Sequence, residues 1–332
     1  ECSAAPAAGA GGELTGLLMI RAFHETHGSA RRIVLIPDTA HGTNPASCTL
    51  AGYEAITLKS DATGTIPIEA VQQAIDKYGR EIAAMMITNP NTLGLFESNI
   101  SEIAELLHGI GAELYMDGAN MNAILGISKP SQMGVDVMQF NLHKTFSAPH
   151  GGGGPGSGPV AVRSHLAPFL PNPRVRIADG CYYPEELADS IGKVMGSFGN
   201  FGVMVKALVY IFHHGSIGLK RVSQAAVLNS NYLRRKLGDH YEIPYSAPSF
   251  HECVLSDARQ VRAKGVKTLN IAKALIDRGF HPPTIYFPLV VSGAMMIEPT
   301  ETESVAELDE LIAAFTDIAD RIETDGETFE HV

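Results

Sequence analysis

The sequence is poor in cysteine, in basic clusters and in long apolar runs, and each shortage removes a class of protein. Four cysteines in 332 residues, Cys2, Cys48, Cys181 and Cys253, have no metal-type spacing and read as reduced thiols rather than a disulfide framework. Asp and Glu (36) outnumber Lys and Arg (25), for a net charge of −11 without a basic run, which argues against nucleic acid as a partner. No apolar stretch approaches the ~20 residues that a membrane-spanning helix needs, so no membrane partner is expected. A secretory leader is also missing. The resulting expectation is a cytoplasmic location. There is no short-period repeat, and no low-complexity tract beyond one glycine loop.

What is present suits a folded chain of one large and one small domain, with 45% hydrophobic and 18% charged residues. Apolar runs at 33–37, 55–58, 82–87, 114–116, 135–140 and 159–162 read as strands. Ile68, Val71 and Ile75, and then Ile100, Ile103, Ala104 and Leu107, have helical spacing between them. Alternation of strand and helix with uniformly apolar strands predicts a parallel-rich α/β sheet covered on both faces. The stretch from Phe140 to Pro159 holds a loop and no crossover helix, so the last strand is expected to run antiparallel. Residues 163–180, with Pro168, Pro171 and Pro173, read as a linker, and a long helical run starts at Val203. Strands near 251–255, 284–286 and 294–298, with helices around 269–276 and 305–318, predict a small α+β domain. The expected division is 1–165 and 166–332.

The chemistry gathers around Lys144, in His143-Lys144-Thr145-Phe146-Ser147-Ala148-Pro149-His150, followed by Gly151 to Gly154. A lysine at a strand end before a flexible glycine loop suits an amine that forms a Schiff base; an isolated one would read as a surface lysine. Asp117 ends the run Leu114-Tyr115-Met116, 27 residues earlier, about one βαβ unit. Both residues then emerge at the sheet edge where ligands of open α/β sheets bind. Asp117 reads equally as a helix N-cap or as the carboxylate that keeps a pyridine nitrogen protonated. His41, after the strand 33–37, reads as a stacking imidazole or a backbone-bonding loop histidine. Thr92, in Asn89-Pro90-Asn91-Thr92-Leu93-Gly94, reads as a turn residue or one that reaches a cofactor or substrate. The loop Ala5-Pro6-Ala7-Ala8-Gly9-Ala10-Gly11-Gly12 opens a helix, an arrangement that suits a phosphate, although by composition alone it is a flexible leader.

Four ordered motifs carry a family resemblance spanning about residues 5–315. Asn141-Leu142-His143-Lys144-Thr145-Phe146 with its glycine run resembles the cofactor-lysine segment of glycine decarboxylase, the P-protein of the glycine cleavage system. Asp117-Gly118-Ala119-Asn120-Met121-Asn122, Ala40-His41-Gly42-Thr43-Asn44-Pro45 and Asn89–Glu97 are similar to three more of its motifs. The Asn-Thr-Leu-Gly form and Phe280-His281-Pro282-Pro283-Thr284 look most like the β subunit of the bacterial two-subunit enzyme.

The resemblance implies the aspartate-aminotransferase-like fold (fold type I) of pyridoxal 5'-phosphate (PLP) enzymes, with a large, mostly parallel, seven-stranded-type sheet. It implies Lys144, His41 and Asp117 as catalytic residues. The amides of Ala8, Gly9 and Ala10 would hold the phosphate, with Thr43, Thr92, Ala119 and His143 also on the cofactor side and no metal. Where the family usually has glutamine the chain has Ala5, and Gly11 replaces glutamine or histidine, so side-chain bonds from those positions are not expected. The implied reaction is decarboxylation of glycine and transfer of the aminomethyl group to the lipoyl arm of the H-protein, in an assembly of two α and two β subunits. Because the chain begins at Glu1, close to the phosphate loop, it reads as a fragment of such a subunit, with more chain before Glu1 and beyond Val332. The alternatives are another PLP enzyme of this fold, an aminotransferase or amino-acid decarboxylase, or a non-catalytic scaffold subunit. No substrate-carboxylate arginine is identifiable for the aminotransferase reading, and Lys144 with Asp117 argues against a scaffold.

Overall fold

Strand and helix alternate through the first half of the chain, as the apolar spacing predicts. The computed structural model describes residues 1–148, 150 and 154–329. In order come β1 (Cys2–Ser3), α1 (Gly9–Thr26), β2 (Ile33–Pro37), α2 (Thr43–Leu50), β3 (Glu54–Leu58), α3 (Ile68–Tyr78), β4 (Ile82–Thr88), α4 (Ile100–Gly109), β5 (Glu113–Gly118) and β6 (Val137–Phe140). One helical turn, α5 (Leu142–Thr145), carries Lys144, and β7 (Val160–Val162) follows the glycine loop. Pro149 and Gly151 to Gly153 of that loop lie outside the described residues.

These strands form one seven-stranded sheet in the order β1-β7-β6-β5-β4-β2-β3. Strands β3, β2, β4, β5 and β6 are parallel. Strand β7 is antiparallel to β6, and β1 to β7, as a connection without a crossover helix requires. Successive side chains of a strand face opposite sides of the sheet, and the sequence fills both sides. Ile33, Leu35, Met85, Ile87, Leu114 and Met116 pack against Val71 of α3 and Ile103 of α4. Val34, Ile36, Met86 and Tyr115 pack against Leu17 and Ile20 of α1 and Cys48 of α2. Each fully buried aliphatic side chain contributes roughly 1.5–3 kcal/mol, so this two-sided core holds the sheet edge rigid.

The second half contains β8 (Arg174–Ala178), β9 (Cys181–Glu185), α6 (Phe201–Leu237), β10 (Cys253–Ser256), α7 (Ala258–Lys264), α8 (Thr268–Asp277), β11 (Thr284–Ile285), β12 (Ala294–Ile297) and α9 (Val305–Asp325). An antiparallel sheet, β10-β12-β11, shares a core of Leu233, Tyr241, Leu255, Leu275, Met295 and Phe315. The expected linker is corrected here, because β8 and β9 form a hairpin whose turn is Asp179 (φ 52°) and Gly180 (φ 73°). Asp-Gly accepts positive φ at both positions, the conformation a two-residue hairpin turn needs. The prolines at 168 and 171 precede it and do not interrupt it.

The expectation about apolar runs also needs correction. Helix α6 is long and apolar enough in one window to meet the length and composition of a membrane span. Its backbone leaves the helical region at Gly215 (φ 58°, ψ −176°). The apolar part, Phe201 to His214, would rise only about 21 Å, short of a ~30 Å hydrocarbon core.

Candidate active site

The parallel register brings Thr88, Asp117 and Gln139 side by side at the carboxyl ends of β4, β5 and β6. Asp117 is buried, and three donors hold its carboxylate. Asn44 Nδ2 donates to Oδ2 at 2.9 Å and the Ala119 amide to Oδ1 at 2.9 Å, while Gln139 Nε2 also donates to Oδ1. The segment after Asp117 is a short 3-10 turn, Met121–Ala123, so the helix N-cap reading is not realised. Behind Gln139 stands Tyr115, whose hydroxyl donates to Gln139 Oε1 at 2.6 Å. Burial, with the nearby Asp117 and Glu13, pushes the Tyr115 phenol well above its ordinary range, so it stays a donor. The chain Tyr115–Gln139–Asp117 therefore has one polarity, with Asp117 as the terminal acceptor.

Glu13 accepts from Thr43 Oγ1 and Ser47 Oγ, both at 2.9 Å, and ties α1 to the start of α2. Burial and then the Asp117 carboxylate push its carboxyl upward, against the hydrogen bonds from Thr43 and Ser47. The start of α1 has no side-chain cap and no acidic residue in its first turn; Ala8 is extended at φ −158°. The first helical bond is Gly12 N–H to Ala8 O at 2.9 Å, which leaves the amides of Gly9, Ala10 and Gly11 without intrahelical acceptors. Glycine is needed here for close approach. A Cβ on Gly9 would lie 2.2 Å from Asn141 Oδ1, and one on Gly158 would lie 2.0 Å from Ala8 O.

These parts surround a cavity of about 530 Å³ lined by Ala8, Gly9, Ala10, His41, Thr43, Asp117, Ala119, His143 and Lys144, with Glu13, Asn141 and Phe287. Nine of the ten residues expected from the sequence thus meet in one place. Thr92 is the exception. It is buried, its hydroxyl donates to Thr39 O at 2.5 Å, and it does not line the cavity. The His41 ring lies parallel to Phe287, with centroids 6.0 Å apart and 11° between planes. His143 Nδ1 accepts from the Ser157 amide at 3.2 Å, and burial, then His150 and Lys144, lower its basicity. Lys144 also faces a second cavity of about 320 Å³, with Asn122, Glu298 and Glu301.

Sequence reasoning missed Glu13, Gln139, Asn141, Phe287 and Glu298. Gln139 had a signal, being the one polar residue in the strand Val137-Met138-Gln139-Phe140. Phe287 and Glu298 come from the distant end of the chain and had none. The donor set fits PLP. The uncapped amides at the start of α1, the close approach at Gly9, Lys144 and Asp117 all line the same cavity.

A mostly parallel seven-stranded sheet with a lysine and a buried aspartate at its carboxyl edge is the fold of PLP-dependent transferases of fold type I. Solved structures agree in fold. An inhibitor-bound glycine decarboxylase (P-protein) of the glycine cleavage system aligns over 96% of this chain and 71% of its own at TM-score 0.77 and 22% identity. A Burkholderia pseudomallei sphingosine-1-phosphate lyase aligns over 98% of this chain and 71% of its own at TM-score 0.72 and 14% identity. The aminotransferase class-V family matches residues 15–168, and the glycine dehydrogenase C-terminal domain matches residues 222–329.

Probable glycine dehydrogenase (decarboxylating) subunit 2 of Chlorobium chlorochromatii is 56% identical over 95% of this chain and 65% of its own length. The protein of that name in Prosthecochloris aestuarii is 53% identical over 98% of this chain and 67% of its length. The chain belongs to the glycine dehydrogenase (decarboxylating) subunit 2 family. It spans about 65% of the length of the curated relatives it matches.

Proposed function

We propose that this chain is the PLP-bearing part of a glycine decarboxylase. It releases carbon dioxide from glycine and passes the aminomethyl group to the lipoyl arm of an H-protein. It works with an α subunit in a heterotetramer of two α and two β subunits. The observation that carries the reading is the convergence of Lys144, Asp117 and the uncapped start of α1 on one cavity. The names of the relatives supply the substrate and the subunit partnership. Four free thiols support a reducing compartment, the cytoplasm. Residues 1–165 form the cofactor-binding unit in this reading, and 166–332 supply the remaining helices and the small domain.

PLP supplies an aldehyde that condenses with amines and a ring that takes up the electron pair freed when a bond at the substrate α carbon breaks. The chain's residues do the rest. Lys144 would hold the cofactor through its amine and would serve in the cavity as a base. The amides at the start of α1 bind the phosphate. Asp117, fixed by Asn44, Gln139 and the Ala119 amide, would hold a proton on the ring nitrogen. His41, backed by Phe287, would cover one face of the ring. Thr43 and Ala119 close the rim, and His143 presents a weakly basic imidazole beside Lys144.

Among the described residues no arginine lines either cavity that Lys144 faces, which favours decarboxylation over transamination, where a substrate carboxylate must be retained. The test uses carboxyl-labelled glycine and the full-length protein with its α subunit, with and without lipoylated H-protein. Labelled carbon dioxide that rises when H-protein is added supports the reading. Release of a keto acid instead, or no label release, contradicts it.

A further inference from the structure

The second cavity that Lys144 lines, of about 320 Å³, has no part in the mechanism above. It forms where the small domain meets the sheet. Lys144 and Thr145 come from α5 and Asn122 from the turn after β5, while Glu298 and Glu301 follow β12. Its wall carries two carboxylates, one amide and four hydroxyls, and among the described residues Lys144 is the only amine on it. Asn122 Nδ2 donates to Glu298 Oε1 at 3.0 Å, and the Tyr210 hydroxyl of α6 donates to Glu301 Oε1 at 2.9 Å. Each carboxylate is thus held by one oxygen, and among the described residues the other oxygen accepts no hydrogen bond. Two more polar atoms of the lining residues, Asn122 Oδ1 and Thr145 Oγ1, have no partner, although their side chains are only 7% and 5% exposed. Buried polar atoms left unpaired are destabilising, so packing alone does not account for this wall.

Such a wall selects by charge and by hydrogen bonding. Its free groups are acceptors, so the occupant must bring donors. A primary ammonium brings three N–H donors and a positive charge, and its bonds to carboxylates are charge-assisted. An occupant that also bears a carboxylate meets two like charges, with no arginine among the described lining residues to offset them. At about 320 Å³ the space is much larger than a bare metal ion and is of a size for a small organic group. These properties separate the two amines of the proposed reaction. Glycine carries a carboxylate, and the aminomethyl group left after loss of carbon dioxide does not. Lys144 lines both cavities, so an amine bound in the second lies beside the residue that takes its place on the cofactor.

We propose that the second cavity is a binding site for the ammonium group of a small primary amine without a carboxylate, held by Glu298 and Glu301. In the reaction it receives the aminomethyl group of the product. The binding stands on the cavity itself, and the place in the reaction rests on the functional reading above. No covalent bond forms or breaks in the cavity. Asn122 fixes Glu298 from one side of the wall and Tyr210 fixes Glu301 from the other, so both carboxylates are oriented before the amine arrives.

The experiment separates binding from turnover. The full-length protein with its α subunit is loaded with PLP and reduced with borohydride, so that added amines bind without condensing. Equilibrium dialysis with labelled methylammonium should show one saturable site per phosphopyridoxyl group, for which glycine and tetramethylammonium compete at least about tenfold less well. Glu298→Gln and Glu301→Gln should each weaken methylammonium binding by at least about tenfold, the loss of a charge-assisted bond. Glu298→Asp should retain most of it. No saturable binding, equal competition by glycine, or unchanged affinity in both glutamine variants would overturn the proposal. If one of the two does not fold, the other is read alone with the same outcomes. The place in the reaction is read in the unreduced enzyme. Glu301→Gln should raise the KM for aminomethylated H-protein in glycine synthesis at least about tenfold more than the KM for oxidised H-protein in glycine cleavage. Equal changes in the two would overturn that role. Absence of carbon dioxide release from glycine in the wild type would instead overturn the functional reading, and the role with it, while methylammonium binding is decided by the dialysis.

Discussion

At the scale of single residues, the account turns on how Asp117 is held. Three donors from three segments fix a carboxylate that the strand register has already placed at the sheet edge. Asp117→Asn would put an amide N–H against one of those donors and remove the charge that keeps a ring proton. The variant should retain PLP yet lose activity by roughly a hundredfold or more. Wild-type turnover with PLP bound would rule out the role given to Asp117. Most of the site was legible because its residues sit in four local motifs at strand ends. The partners from afar were not legible. Phe287 meets His41 across 246 residues of sequence, and Glu298 reaches Asn122 across 176. Sequence left Thr92 open between a turn threonine and a cofactor threonine, and its hydroxyl donates to the Thr39 carbonyl.

At the scale of elements, α1 joins the cofactor end of the fold to its core. Gly158 of the segment before β7 touches Ala8 at its start, so Gly158→Ala should push a Cβ against backbone that has nowhere to go. Overpacking of this kind costs typically about 1–3 kcal/mol. Weaker PLP retention with a lower melting temperature is expected, measured by cofactor release on dilution and by thermal unfolding. Unchanged values for both would contradict the close approach. Farther along α1, His24 Nε2 lies 3.0 Å from Ala83 O on β4, and burial lowers its pKa from 6.5 to about 4. The folded state then binds fewer protons than the unfolded state between those values. His24 therefore contributes stability that is present above pH ~6.5 and lost as pH falls toward 4. Thermal midpoints measured from pH 7 to 4.5 should fall less steeply for His24→Gln than for the wild type. Parallel slopes would contradict the burial of a neutral imidazole. The hairpin of β8 and β9 shows where element prediction failed. Proline density suggested a linker, while the Asp179-Gly180 turn carried the contrary signal two residues at a time.

At the scale of the whole molecule, apolar side chains remain exposed along α6, with Phe201 and Phe212 each over 70% accessible, and on the hairpin at Ile177 and Tyr182. Such surfaces on a folded chain mark contacts with other chain. The chain also spans only about 65% of its relatives' length. Made alone, these 332 residues should elute larger than a monomer, retain PLP weakly and show little glycine-dependent release of carbon dioxide. A monodisperse, fully active monomer would contradict the proposed partnership with an α subunit.

The central claim is that Lys144 carries the cofactor at the edge shared with Asp117. Borohydride reduction of the PLP-loaded protein, followed by proteolysis and mass spectrometry, tests it directly. The account predicts a phosphopyridoxyl group on the peptide containing Lys144, and none anywhere in Lys144→Ala. A covalent adduct on another lysine, or one that persists in Lys144→Ala, would contradict it.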